Sequence, residues 1–190
     1  MNKPLLGFAL FPCLIFLTLI VGLIMQGCAG NNPPDPPDGS TVEILNPPGD
    51  VSIPANAISP SNPAIRAVVR GPNGSPLSDV ILEFGLSFAG LNDFVTDTNG
   101  DFLPDARALQ LVDPDACGDK NCLLVPISEW FELGAFCDSP CEKLTDDDGG
   151  AEIIILISNP NGNLVVDPAT FQAVIPTAVD SVEFSVNAEQ

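Results

Sequence analysis

The residues of this chain best suited to chemistry lie in one acidic run, Asp97-Thr98-Asn99-Gly100-Asp101-Phe102-Leu103-Pro104-Asp105. Asp97, Asn99, Asp101 and Asp105 occupy positions 1, 3, 5 and 9 of that run. A tight loop uses this alternation to aim side-chain oxygens at calcium, which takes about six to eight of them. Phe102 stands where such a loop turns on glycine, and Ala108 where a bidentate carboxylate would close it. The expected site is therefore weak unless Asp93, Asp113 or Asp115 completes it. The same residues also fit a hairpin, because Asn-Gly is a favoured two-residue turn between antiparallel strands. Asp146-Asp147-Asp148-Gly149-Gly150 reads more simply as a solvated turn.

The second reactive set is Cys117, Cys122, Cys137 and Cys141. An even number of cysteines in an exported chain reads as two disulfides, and the three possible connectivities remain open. Local pairing needs tight loops, whereas crossed pairing would staple residues 117–141 into one hairpin-like unit. Four thiolates at these intervals also make a zinc set, a reading that an oxidising compartment disfavours. The 190 residues include no histidine and no tyrosine, which removes Ser-His-Asp and Cys-His catalysis and every histidine-ligated metal. A carboxylate pair or a lysine base survives in principle, and no spacing singles one out. The chain is expected to be no enzyme and, calcium aside, to carry no cofactor. Trp130 and Phe131, within Ser128-Glu129-Trp130-Phe131-Glu132-Leu133, are the candidate binding aromatics. That segment suits a short helical turn or a strand, and such aromatics also serve as core beneath a loop.

Whether those cysteines oxidise depends on compartment, which residues 1–28 address. Lys3 is followed by about twenty almost wholly apolar residues ending at Gly27-Cys28, the layout of an export signal. It resembles a bacterial lipoprotein signal peptide, whose last four residues here read Met25-Gln26-Gly27-Cys28. The resemblance implies a signal peptide over residues 1–27, cleavage before Cys28 and lipid on that cysteine. Ala29, in place of aspartate, implies an outer-membrane address. Left uncleaved, Leu5–Met25 is long enough to cross a bilayer, and ordinary secretion is the third outcome.

Residues 28–40 are rich in proline, aspartate, asparagine and glycine, and read as an extended tether. All 25 acidic residues lie beyond Cys28, opposed there only by Arg66, Arg70, Arg107, Lys120 and Lys143. A surface this anionic repels phosphate backbones and anionic lipid alike, so nucleic acid is not an expected partner. The membrane is reached through the N-terminal lipid.

From Thr41 the hydrophobic rhythm has the period of strands. Ile65, Ala67 and Val69 oppose Arg66 and Arg70, and Val80, Leu82, Phe84 and Leu86 share one face. Ala151, Ile153, Ile155 and Ile157 form a face whose reverse carries Ile154 and Leu156 and is expected to be partly covered. Phe171, Ala173 and Ile175, then Val182, Phe184 and Val186, complete the set. Short alternating segments between Pro, Gly and Asn turns predict an all-β, Ig-like antiparallel β-sandwich over residues 41–190.

Two stretches, Val68–Phe84 with its Asn73-Gly74-Ser75-Pro76 turn and Thr145–Ile153, resemble bacterial immunoglobulin-like domains of the invasin and intimin type. The resemblance implies a spacer, stalk or adhesive module. The chain departs from it with a disulfide-stapled insertion at about residues 90–143, and long elaborations on rigid scaffolds often carry binding. The expected function is a non-enzymatic envelope lipoprotein presenting its domain to a protein or surface polymer. The alternatives are a structural accessory of an envelope assembly and a weak calcium-binding module. Intact-mass analysis of the native protein is expected to show a chain starting at Cys28 with a diacylglyceryl or triacyl adduct. An unmodified chain retaining residues 1–27 would exclude the anchor.

Overall fold

Alternating side chains place one row of each strand in a core and the other toward water. In the computed structural model, which describes residues 33–61, 63–88, 109–118, 122–159 and 164–189, this pattern builds two packed sheets. The strands are β1 (Thr41–Ile44), β2 (Val51–Ile53), β3 (Ala57–Pro60), β4 (Ile65–Arg70), β5 (Ile81–Phe88), β6 (Leu109–Val112), β7 (Phe136–Cys137), β8 (Cys141–Leu144), β9 (Gly150–Asn159), β10 (Val165–Ile175) and β11 (Ala178–Ala188). The first sheet runs β1-β4-β9-β6-β7, with β3 also paired to β9, and the second runs β2-β11-β10-β5-β8. Among the described residues every pairing of these strands is antiparallel except β2 on β11. The architecture is an all-β, Ig-like sandwich.

The rows assigned by alternation meet between the sheets. Ile65, Ala67 and Val69 of β4 and Ile153, Ile155 and Ile157 of β9 face Leu82, Phe84, Phe171, Ala173, Phe184 and Val186 from the second sheet. Phe84 and Phe171 stack with ring centroids 5.8 Å apart. β9 is also buried on its reverse face, where Ile154 and Leu156 lie in a second, smaller core. The cover comes from the chain between β6 and β7, so the insertion is no appendage. Its described part supplies β6 and β7 to the first sheet and leads into β8 of the second.

One side of the sandwich is sealed by carboxylates. Asp180 of β11 accepts the Ile44 N–H of β1 at 2.8 Å and the Ser181 N–H at 2.9 Å, and Asp50 accepts the Ser185 N–H at 2.7 Å. Edge N–H groups engaged in this way offer less of a template to a foreign strand.

Residues 33–40, expected as part of a tether, instead belong to the compact unit that runs from Pro33. Pro36 and Ser40 are buried, and the Ser40 hydroxyl donates to the Pro37 carbonyl at 2.7 Å. Pro33–Pro36 share a shallow cleft with Ile81, Glu83, Glu142, Val174, Ile175 and Pro176 on the outer side of the second sheet. Prolines have little backbone freedom to lose, so laying them along an apolar face costs little conformational entropy.

The Thr145–Ile153 motif proves architectural. The Thr145 hydroxyl donates to the Leu77 carbonyl at 2.7 Å and accepts the Val80 N–H at 3.0 Å, pinning the β8–β9 connection to the β4–β5 connection. Gly149 has φ +74°, and a Cβ there would lie 2.6 Å from the Val69 carbonyl oxygen. A Cβ at Gly150 would overlap the Arg66 guanidinium. Arg66 instead crosses that open position to donate to Asp146 at 2.8 Å and to Glu152 at 3.3 Å. The other Asp146 oxygen accepts the N–H groups of Asp148 and Gly150 at 2.9 and 2.8 Å. The solvated-turn reading of this acidic run therefore has a specific structure behind it.

Burial pushes the Asp146 pKa up, but the N–H of Gly150, the Arg66 guanidinium and the N–H of Asp148 outweigh it and hold the carboxyl below its ordinary range. The Asp146 hydrogen bond raises the Arg66 pKa despite burial, so the arginine stays charged throughout. Because the folded pKa of Asp146 is depressed, its stabilisation is complete above the unfolded value of about 3.9 and is lost as pH falls through the lower folded one. Asp146 is half exposed, so the pair contributes no more than about 1 kcal/mol. Asp146→Asn is expected to lower urea-unfolding stability at neutral pH by up to about that amount. The gap should close in strongly acidic buffer, and a gap independent of pH would show that the carboxylate charge is not the cause.

Candidate functional site

The insertion forms a cap built around one side chain. After β6, Asp113 donates its N–H to the Ala135 carbonyl at 2.7 Å and caps the 3-10 turn Pro114–Cys117 by accepting the Asp115 N–H at 2.9 Å. Proline at the start of that turn removes an N–H that would have no partner. A second 3-10 turn, Cys122–Leu124, leads into the helix α1 (Ile127–Glu132). Gly134, at φ +67°, ends the helix in the left-handed conformation, and the Ala135 N–H returns to the Trp130 carbonyl at 2.9 Å. The chain then reverses into β7.

Trp130 is only 1% exposed and packs with Val112, Cys117, Cys122, Val125, Ala135, Ile154 and Leu156. Its indole N–H donates to the carbonyls of Cys122 at 3.1 Å and Val125 at 3.2 Å. Trp130 is therefore core beneath the loop, the alternative its sequence context allowed, and not a binding-surface residue. The outer face of β9 has to be covered, and the indole is the one large side chain on α1 whose buried N–H finds acceptors there. The Phe131 side chain lies outside the described residues.

The cysteines pair locally. Cys117–Cys122 and Cys137–Cys141 have Cα–Cα distances of 5.4 and 5.5 Å. The first locks the two 3-10 turns together, and the second joins β7 of one sheet to β8 of the other. Beside that corner Lys143, its side chain 7% exposed, reaches from β8 to Asp113 and to Asp115, the latter at 2.5 Å. Lysine and disulfide thus tie the two sheets together at the edge opposite Asp180.

The outside of the cap is acidic and apolar. Asp115, Glu129, Glu132 and Glu142 are exposed, and among the described residues of 109–142 there is no basic side chain. Leu124, two residues after the disulfide-locked Cys122, is 84% exposed, and Leu133, just past the end of α1, is also exposed. Leu124 did not stand out in the sequence, because Leu123-Leu124-Val125 has no periodicity that separates the inward residue from the outward one. The calcium candidates Asp97, Asn99, Asp101 and Asp105 lie outside the described residues, as does Cys28. Among the described residues no three acidic or sulfur ligands converge on a metal position. A small opening of about 160 Å³ between the β1–β2 loop and the β3–β4 break holds one ionisable group, Asp50. The Asp50 carboxylate already accepts the Ser185 N–H.

No protein-family model and no curated protein matches this chain. A search of solved structures finds the ASH / PapD-like domain of human CEP192 (PapD-like domain 7), at 14% identity and a TM-score of 0.40, covering 84% of this chain and 92% of that one.

Trp130→Ala is expected to lower unfolding free energy by about 3–5 kcal/mol, since it empties the centre of the cap. Trp130→Phe keeps most of the packing but leaves two carbonyls without their donor, at a cost of about 1–3 kcal/mol. Urea titration of both variants measures this. Stability unchanged in Trp130→Ala would show that the cap does not hold the sandwich together.

Proposed function

We propose that this chain is a non-enzymatic, lipid-anchored envelope protein whose sandwich holds the cap out as a contact surface for another protein or a surface polymer. The observation that carries the reading is Leu124, a large apolar side chain left 84% exposed on a backbone fixed by a disulfide and by the Trp130 hydrogen bonds. A rigid anchor loses little entropy when it is buried by a partner. The acidic residues around the cap favour a partner whose rim is basic. The apolar run ending in Gly27-Cys28 supports the lipid anchor and, through Ala29, an outer-membrane location. The resemblance of Val68–Phe84 and Thr145–Ile153 to invasin- and intimin-type domains supports an adhesive or presenting role. The strongly anionic surface argues against nucleic acid.

A second reading, a structural accessory of an envelope assembly, draws on the burial of Trp130 inside its own cap, which removes the most favourable aromatic contact from the surface. A photo-crosslinking residue at position 124 in the intact native cell distinguishes the two. A discrete adduct from position 124, absent when the same residue replaces Ser52 on the second sheet, is expected. Adducts from position 52 alone would favour the accessory role.

A further inference from the structure

We propose that the outer face of the second sheet, at the end where residue 33 leaves it, rests on the zwitterionic head groups of the membrane, and that the cap consequently faces away from the bilayer. The inference rests on the lipid anchor at Cys28.

Reach is the first argument. Residues 28–32 separate that anchor from the start of the folded unit at Pro33. A fully extended chain spans about 3.3–3.6 Å per residue, so the anchor lies within roughly 20 Å of Pro33. Pro36 and Ser40 are buried in the fold and add nothing to this reach, so the folded unit starts no more than about 20 Å from the anchor.

The surface at the exit point is the second. Pro33–Pro36 share their cleft with Ile81 and Val174. Register sets Leu144 opposite Ile81 and Val179 opposite Val174. Cys141 and Lys143 are buried, so the intervening Glu142 and Leu144 point outward. Leu144 and Val179 are 54% and 61% exposed. Apolar side chains therefore flank the proline segment on both sides, on the same face and at the same end as the exit. Glu83, Glu142 and Asp35 border that surface, which sets its preference for neutral over anionic lipid.

The cap supplies the third. It covers Ile154 and Leu156 on the outer face of the other sheet. Two sheets packed about 10 Å apart, with a further layer over one of them, put Leu124 on the order of 20 Å beyond the lipid-facing surface.

The test uses the full lipidated chain in phosphatidylcholine vesicles containing a head-group nitroxide lipid. A single fluorophore is placed through Leu144→Cys, Val179→Cys or Leu124→Cys. Emission is expected to be quenched at positions 144 and 179 and to be unchanged at 124. Quenching equal at all three, or confined to 124, would overturn the orientation while leaving the anchor intact, provided the protein floats with the vesicles. Failure to float, with no lipid mass on Cys28, would instead remove the anchor and the orientation together.

Discussion

Five consecutive apolar residues, Ile153 to Ile157, run through the middle of β9, and the rest of the molecule is arranged to keep both of their faces dry. A strand in an antiparallel sandwich ordinarily has one wet face, so a two-sided apolar strand demands a third layer. Each large aliphatic side chain withdrawn from water contributes about 1.5–3 kcal/mol. The second sheet meets one face; the cap meets the other. The cap in turn is too small to hold a core alone, which is why it leans on Ile154 and Leu156, on two disulfides and on one tryptophan. Strand and cap are stable because each completes the other.

The two long sides of the sandwich are closed by different chemistry. On one, Asp180 receives main-chain N–H groups from both sheets. On the other, Lys143 crosses to Asp113 and Asp115 beside the Cys137–Cys141 bridge. A buried ammonium loses its hydration, so this pairing adds little net stability over an apolar replacement. Its geometry nevertheless requires one register, since only the observed placement of β8 beside β5 brings Lys143 to the carboxylate that also caps the following turn.

The sandwich was legible because alternation is a local property. Ile65–Arg70, Val80–Leu86 and Phe171–Ile175 carry their strand faces in their own sequences, and the double-sided apolarity of β9 already called for a cover. What was not legible depends on partners distant in the chain. The order of β6 before β8, which sends the polypeptide to the first sheet and back, follows from β9 needing a neighbour on its open side. Pro33–Ser40 read as tether because prolines without apolar neighbours look solvated, and the face on which Pro33–Pro36 lie is made by β5, β8 and β10. Trp130 read as a surface candidate because one aromatic in a short segment does not reveal which way it turns. Leu124 was missed for the same reason. The acidic run at 97–105 and the signal region keep only their sequence readings.

The separations of the cysteines, 5 residues for Cys117–Cys122 and 4 for Cys137–Cys141, bear on how the chain matures. Closing a loop costs conformational entropy that rises with its length. Crossed pairs among these four thiols would span much longer stretches, so the native partners are also the ones that meet most often in the unfolded chain. Thermodynamic preference and encounter frequency coincide. Loop-closure entropy therefore favours the native bonds when the reduced chain is oxidised.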